Sequence, residues 1–346
     1  MKVLNLFLAF AFFSNVAIGE EFPIALTGRV GFNQISSDTT LNSSWFGFDF
    51  LRTSWSGNVN KELSFSLSLD FLGTTGNDSV DGTPSLVDEA FISYDLSGLF
   101  KLHLGKKAVF IGGREYFYLN TERYSLSKFN QATPANQVGA TLEHNVFGQK
   151  LVLQAFNGNK ENSNSGQNAQ SKLGYSVGVE GDFFESKIKP IFGYTVIPKA
   201  SNADAFAGNT TVRANKGNDE LISLGSQFNL LSNFIFEIDY NILNELNVTS
   251  LNETQKINSI VSSIRWNFEN WSTFVKYFDE YYKLNGEKIS KFNTYEFGVE
   301  LKQFNDLVKY HLVYAKKETQ NNYNSNNRIK ESENMILVGL TFTPKF

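Results

Sequence analysis

The sequence predicts an all-β protein, a transmembrane antiparallel β-barrel of about 16 strands, with about 14 to 18 strands compatible with the pattern. Segments of alternating apolar and polar residues recur along the whole chain, and turn-forming residues separate them. Phe accounts for 33 of the 346 residues, yet the mean hydropathy is only −0.25. Lipid-facing and lumen-facing residues that alternate along each strand would produce this combination.

The composition also excludes several classes of protein. With no Cys, the chain has no disulfide framework, thiolate zinc site or Cys nucleophile. The net charge of −4 argues against a nucleic-acid partner, because nucleic-acid-binding domains are usually clearly basic. A helical membrane protein is excluded because no segment after the N-terminus approaches the roughly 20 apolar residues of a helical span.

The N-terminus resembles a secretory signal peptide over residues 1–19. Lys2 provides a basic start, residues 3–13 are almost all apolar, and small residues at Ala17 and Gly19 fit a cleavage site. An anchoring helix is the alternative, but the apolar run is shorter than a membrane span requires. We therefore expect export and a mature chain, 20–346, that forms a single barrel domain.

The alternation assigns residues to the two faces of each strand. In Leu63-Ser-Phe-Ser-Leu-Ser-Leu-Asp-Phe71, every odd position is apolar and every even position is polar, which places the two sets on opposite faces. The expected lipid-facing set includes Leu63, Phe65, Leu67, Leu69, Phe234, Phe236, Ile238, Val338 and Leu340. A soluble β-sandwich would also alternate, so the connections between strands must separate the two architectures.

The connections indicate a barrel with two unlike ends. The predicted strands begin near Ile24, Ser44, Leu63, Val87, Phe100, Asn136, Lys150, Leu173, Lys187, Glu220, Phe234, Ile257, Trp271, Thr294, Val308 and Met335. Long polar connections are predicted at 34–43, 73–85, 112–132, 157–170, 198–218, 245–255, 281–291 and 317–333, and short turns lie between them. Long extracellular loops and short periplasmic turns are typical of outer-membrane barrels. The second strand loses its phase at Leu51, Arg52 and Trp55, which predicts a bulge or a shift to the rim.

Two regions carry a resemblance to a known family. The final strand alternates and ends at Phe346, which resembles the C-terminal signal that the bacterial barrel-assembly machinery recognises. Residues 87–94, 102–106 and 112–115 resemble the central region of Gram-negative outer-membrane porins, closest to the phosphate-selective group. The resemblance implies a homotrimer of sixteen-stranded barrels in the outer membrane, in contact with lipid and lipopolysaccharide, with the third loop folded into the lumen. It implies no particular substrate.

Polar positions of the strands are expected to face a water-filled lumen. The candidate wall residues are the cations Lys101, His103, Lys107, Lys187 and Lys189 and the carboxylates Asp70 and Glu89. Opposite charges across a pore create a transverse field that filters solutes by charge and polarity. The alternative is a hydrated wall whose charges confer no selectivity. For any single residue, this alternative is favoured over a role in selectivity.

The third long connection, 112–132, is unusually aromatic for a loop. An inward fold would bury its aromatic side chains against the wall, and its charges would then narrow and polarise the lumen. These charges are Arg114, Glu115, Glu122, Arg123 and Lys128. With Lys101, His103 and Lys107 nearby, we expect a mild preference for anions at this level of the pore. The alternatives are a loop that caps the barrel mouth or packs on a neighbouring subunit.

The sequence predicts a channel for passive diffusion of small hydrophilic solutes and ions. No catalytic motif, metal pair or cofactor-binding loop is found, and the three His residues are scattered, so we expect no enzyme, metal or cofactor. Alternatives are a substrate-specific anion or phosphate channel, a plugged structural or surface-recognition barrel, and, least favoured, a barrel enzyme whose Ser and His residues meet across the lumen.

Overall fold

The structure is a computed structural model that describes residues 24–38, 42–72, 86–117, 123–133, 136–158, 173–198, 218–247, 253–304, 307–321 and 329–344. The predicted signal peptide, Glu122 and the C-terminal Phe346 lie outside these ranges. Among the described residues, no helix is long and apolar enough to cross a membrane.

Sixteen antiparallel strands close into one barrel, in which each strand pairs with its neighbours in sequence and β1 pairs with β16. The strands are β1 Ile24–Ser37, β2 Ser43–Asn58, β3 Leu63–Asp70, β4 Val87–Asp95, β5 Phe100–Ala108, β6 Asn136–Val146, β7 Gln149–Asn157, β8 Leu173–Glu180, β9 Ile188–Pro198, β10 Asn218–Leu231, β11 Phe234–Asn247, β12 Glu253–Asn267, β13 Trp271–Leu284, β14 Glu287–Gln303, β15 Val308–Asn321 and β16 Ile329–Phe342. The predicted fold class and strand number are confirmed.

The two faces of the strands differ as the alternation predicts. On β11, Ile238 and Tyr240 are 40% and 45% exposed, whereas Glu237, Asp239 and Asn241, which alternate with them, are buried inside the barrel. The same alternation holds on β13, where Val275 is exposed and its neighbours on either side are buried. Apolar residues are therefore exposed on the outer surface, as a lipid-facing surface requires, and polar side chains are directed inward.

Several connections differ from the prediction. The expected long loop at 281–291 is wrong, because β13 and β14 continue to Leu284 and from Glu287, and only Asn285 and Gly286 connect them. Both residues have positive φ, 49° and 86°, as a tight hairpin turn requires. Strands β12, β14 and β16 likewise begin earlier than predicted. Their ends resemble loops in the sequence because mostly polar residues occupy both alternating sets of positions there.

The irregularity in β2 contains a bulge, which is one of the two causes that the sequence left open. The pairing of β1 with β2 shifts register between Arg29 and Val30, so that Asp49 is an extra residue on β2. The extra residue exchanges the faces beyond it and directs Phe50 into the barrel, where it is 6% exposed. Asp49 then accepts a hydrogen bond from Nε of Arg29 at 2.8 Å.

Candidate functional site: the third loop inside the barrel

The third loop connects β5 to β6 and carries two short helices, α1 at Arg114–Phe117 and α2 at Lys128–Ala132. Its described residues contact the inner faces of β7–β15 and β1. Val109, Ile111, Ser127 and Phe129 are at most 1% exposed. A loop that capped the mouth would leave such residues in solvent, so the loop is folded into the lumen.

The first part of the loop lies directly against backbone of the wall. A Cβ atom on Gly193 would be 2.0 Å from the carbonyl oxygen of Ile111, and one on Gly178 would be 1.9 Å from the Phe110 ring. Gln154 and Thr195 of the wall also bond the Phe110 backbone, at 2.5 and 3.1 Å. Glycines that face the lumen on β8 and β9 therefore make room for the loop.

Helix α1 begins on a carboxylate of the wall. Gly112 and Gly113 have φ of 85° and 83°, a conformation that glycine adopts readily, and they turn the chain toward β11. The backbone amides of Arg114 and Glu115 then donate to Oδ1 and Oδ2 of Asp239, at 2.7 and 2.8 Å. Asp239 is 2% exposed. Like an N-cap side chain, its carboxylate accepts hydrogen bonds from the free backbone amides at the start of α1.

Helix α2 is held in the same manner by β13. The amides of Lys128 and Phe129 donate to Oε1 of Glu280, at 2.7 and 3.4 Å. Glu115 joins the two helices, because its Oε1 accepts from the amide of Ser127 at 2.9 Å and lies 3.6 Å from Nζ of Lys276. Both ends of the loop are therefore fixed to the wall and to each other.

Tyr124 fixes the second part of the loop to the opposite side of the lumen. Its ring stacks on Phe274 at 5.6 Å, and its hydroxyl donates to Oε1 of Glu300 at 2.8 Å. Burial raises the pKa of the Tyr124 phenol well above its ordinary value, so the phenol remains a neutral donor. Glu300 is 0% exposed and is also paired with Arg265 at 2.7 Å, which compensates its buried charge.

An apolar core lies inside the barrel beneath the loop, which the sequence analysis did not anticipate. Its buried members are Val109, Ile111 and Phe129 of the loop and Phe156, Ile197, Leu221, Leu243 and Ile257 of the wall. In this part of the barrel, apolar side chains of the wall face inward and pack against the loop. The signal was present in the sequence, because adjacent apolar pairs such as Val196-Ile197, Leu221-Ile222 and Ile242-Leu243 place apolar residues on both faces of the strand.

The wall formed by β2–β6 is different, because its charges keep contact with solvent. Arg52 lies 2.7 Å from Asp88 and 3.8 Å from Asp70, and Nζ of Lys107 lies 2.7 Å from Glu143. These five side chains are 18–23% exposed. The charges under the loop are covered to a greater degree, with the side chains of Glu115 and Glu300 at 1% and 0%.

The predicted cations of the third loop differ in their exposure. Arg114 is in the loop but covered, with its guanidinium bonded to the backbone oxygen of Lys189 and 3.8 Å from Glu180. Arg123 lies near Arg52 and Asp88, and burial lowers the pKa of its guanidinium. Lys128 is exposed on α2.

Glu89 and Lys101 belong to the β4 and β5 wall. Lys187 is an exposed residue of the turn before β9, so its predicted place in the wall is wrong; β9 begins one residue later.

His103 has close polar partners, although the three His residues are scattered along the sequence. Its Nδ1 is 2.7 Å from Oγ of Ser93, and its Nε2 is 3.3 Å from Oε1 of Glu143. Three such groups can form a hydrolytic triad. Here Ser93 and His103 are only 4% and 6% exposed, and Lys107 binds the same Glu143 oxygen at 2.7 Å. Ser93, His103, Glu143 and Lys107 therefore form one polar network of the wall.

A closed barrel of sixteen strands with a loop folded into its lumen defines the class of outer-membrane porins. The chain belongs to the family "Phosphate-selective porin O and P", whose model matches residues 25–220. It is an outer-membrane channel for passive diffusion, located in the Gram-negative outer membrane. Porins of this family and fold are known as non-enzymatic channels. No curated protein matches the sequence.

Solved structures with the same fold have very different sequences. The outer-membrane channel DcaP of Acinetobacter baumannii has a TM-score of 0.67 at 11% identity, over 93% of this chain and 97% of that one. The anion-selective porin from Comamonas acidovorans has a TM-score of 0.62 at 12% identity, over 94% and 100%. OmpT of Vibrio cholerae in its trimer form has a TM-score of 0.61 at 12% identity, over 94% and 100%.

Proposed function

We propose that solutes cross the barrel between the third loop and the wall of β2–β6. The observation that carries this proposal is the contrast in exposure on the two sides of the loop. The side chains of Arg52 and Lys107 are 23% and 22% exposed, whereas those of Arg114 and Lys276, which contact the loop, are 8% exposed. Because water can reach the charged side chains of β2–β6, a small solute can diffuse through the same space.

The charges along this path favour small polar solutes over apolar ones. Cations and carboxylates are paired around this wall, as in Arg52–Asp88 and Lys107–Glu143, and Arg29–Asp49 lies at its edge on β1 and β2. Such an arrangement orients water and dipolar solutes, so an apolar solute would have to displace ordered water without replacing its hydrogen bonds. Because the charges are paired, the net field and the ion preference are weak.

A mild preference for anions is the second part of the proposal. Arg123 on the loop lies near Arg52 on the wall, so two guanidinium groups are close to the same stretch of the path. Selectivity follows the field where ions pass close to fixed charge, since more distant charges are screened within about 8 Å at physiological salt. The family name and the neighbour from Comamonas acidovorans, described as anion-selective, point in the same direction.

Reversal potentials in a salt gradient test both parts. Arg52→Gln and Lys107→Gln each remove a partly exposed cation from the path, and we expect each to shift the reversal potential toward cation selectivity. Lys187→Gln is the matched control, because it removes the same charge from an exposed turn. If the reversal potential is unchanged in both wall variants, solutes do not pass along the β2–β6 wall. A folded barrel that conducts no ions would favour the plugged structural alternative.

We further infer that the chain assembles as a homotrimer and is inserted by the barrel-assembly machinery through its C-terminal Phe346. The trimer form of OmpT from Vibrio cholerae shares the fold and supports this inference. We expect insertion into planar bilayers in three equal conductance steps. Single steps, together with a monomer after chemical cross-linking in outer membranes, would contradict the trimer, and unimpaired assembly after deletion of Phe346 would contradict the signal.

A further inference from the structure

The short turns at one end of the barrel expose phenylalanine side chains at their tips. Phe147 between β6 and β7 is 97% exposed, Phe184 between β8 and β9 is 73% exposed, and Phe304 after β14 is 69% exposed. Apolar side chains at a turn tip are costly if the tip lies in water. Three of them at the same end of the barrel indicate that this end meets something apolar.

The backbone at these positions makes phenylalanine an unfavourable choice for the turn itself. Phe147, Phe184 and Phe304 have φ of 50°, 54° and 53°, in the left-handed region where glycine and asparagine are the usual residues. At the other end of the barrel, the turn between β13 and β14 has ordinary chemistry, with Asn285 and Gly286 at these angles. The phenylalanines therefore contribute something other than turn formation.

The exposed tips continue the lipid-facing surface of the strands. Next to the turn between β10 and β11, Leu230 and Leu231 are 62% and 66% exposed. Around the turn between β12 and β13, Phe268 stacks on Trp271 at 3.8 Å and on Trp266 at 5.3 Å, which forms an outward aromatic belt. Aromatic belts mark the boundary between headgroups and acyl chains in outer-membrane barrels. The three turn tips adjoin exposed apolar residues at the same end of the barrel, because Val146, Phe183 and Leu307 beside them are 37%, 45% and 41% exposed.

We propose that Phe147, Phe184 and Phe304 insert into the phospholipid boundary on the turn side of the barrel and fix its depth in the membrane. The occupant is lipid, because the tips are continuous with a surface that already faces lipid. Lys187, an exposed cation three residues after Phe184, can reach a lipid phosphate while the ring enters the boundary. This inference concerns the outer surface and does not depend on the path or selectivity proposed above.

Site-directed spin labelling tests the depth of the tips directly. Because the chain has no Cys, the variants Phe147→Cys, Phe184→Cys and Phe304→Cys each give one labelled site. In vesicles of phosphatidylethanolamine and phosphatidylglycerol, we expect labels at the three tips to be more accessible to oxygen than to a water-soluble nickel chelate. A label at Asn285→Cys, the control at the opposite end, should show the reverse. Tips as accessible to the chelate as the control would overturn the proposal and leave them available to a periplasmic protein.

A second measurement leaves the turns unlabelled and uses the sign of a stability change. Replacing all three phenylalanines by Asn removes the unfavourable left-handed phenylalanines, so the urea midpoint of unfolding from vesicles should rise if the rings are in water. If the rings are in the lipid boundary, the lost insertion outweighs this gain and the midpoint should fall. A fall supports the proposal, and a rise or no change overturns it.

Discussion

Asp239 of β11 accepts the backbone amide of Arg114 at 2.7 Å, although the two residues are 125 positions apart in the sequence. Its second oxygen accepts the amide of Glu115, so one carboxylate satisfies two free donors at the start of α1. Glu280 does the same for α2. The position of the loop in the lumen is therefore set by two carboxylates of the wall.

We expect Asp239→Asn to loosen the third loop. An amide offers one acceptor oxygen and directs its NH₂ group at the second backbone amide, so one buried donor loses its partner, at a cost of about 1–3 kcal/mol. The measurement is single-channel recording in planar bilayers, where we expect more frequent conductance fluctuations than in the wild type. Asp182→Asn in an exposed turn is the control. Identical traces for both variants and the wild type would show that Asp239 does not hold the loop.

Gly193→Ala should displace the loop from the β9 wall. The added Cβ would lie 2.0 Å from the carbonyl oxygen of Ile111 and 2.4 Å from its carbonyl carbon, and backbone atoms cannot rotate away. Overpacking of this type costs about 1–3 kcal/mol. We expect an altered single-channel conductance together with a lower unfolding midpoint. Gly47→Ala is the control, because the nearest atom to its Cβ would be the Trp45 ring at 3.5 Å. Wild-type conductance in Gly193→Ala would contradict the close contact.

Phe129→Ala should weaken the apolar core beneath the loop. Phe129 is 1% exposed and packs with residues of the wall, so its truncation should cost about 3–5 kcal/mol if the cavity does not collapse. Leu126→Ala changes a residue of the same loop that is 38% exposed, and should cost far less. Urea titration in detergent micelles compares the two variants. Equal, small losses would mean that the loop is not packed on the wall.

The outer surface gives a test of the membrane-facing assignment. Leu67→Arg places a charge on the lipid face of β3 and should cost about 2–4 kcal/mol if the position is near the midplane, whereas Arg at Ser66, which faces inward, should be much milder. Unfolding of each variant from phospholipid vesicles measures the difference. Equal destabilisation at the two positions would contradict the assignment of the two faces.

Much of the fold could be read from the sequence because a β-barrel repeats one local rule. Period-two alternation identified all sixteen strands, and the phase break at Leu51 and Arg52 predicted the bulge that Asp49 produces. The aromatic residues of the third loop predicted an inward fold but not the role of each residue, since Phe129 is buried while Phe117 is 42% exposed. The polar ends of β13 and β14 were read as a loop because wet strands and loops have similar compositions.

The sequence by itself determined the barrel, the faces of its strands and the class of the protein, because these follow from neighbours along the chain and across adjacent hairpins. Only the tertiary structure decided which inward residues meet water and which lie beneath the loop. That division depends on contacts between distant positions, such as Tyr124 with Glu300 and Glu115 with Lys276. Local sequence patterns contain no information about such pairs. The charges that face the proposed path could therefore be identified only from the tertiary structure.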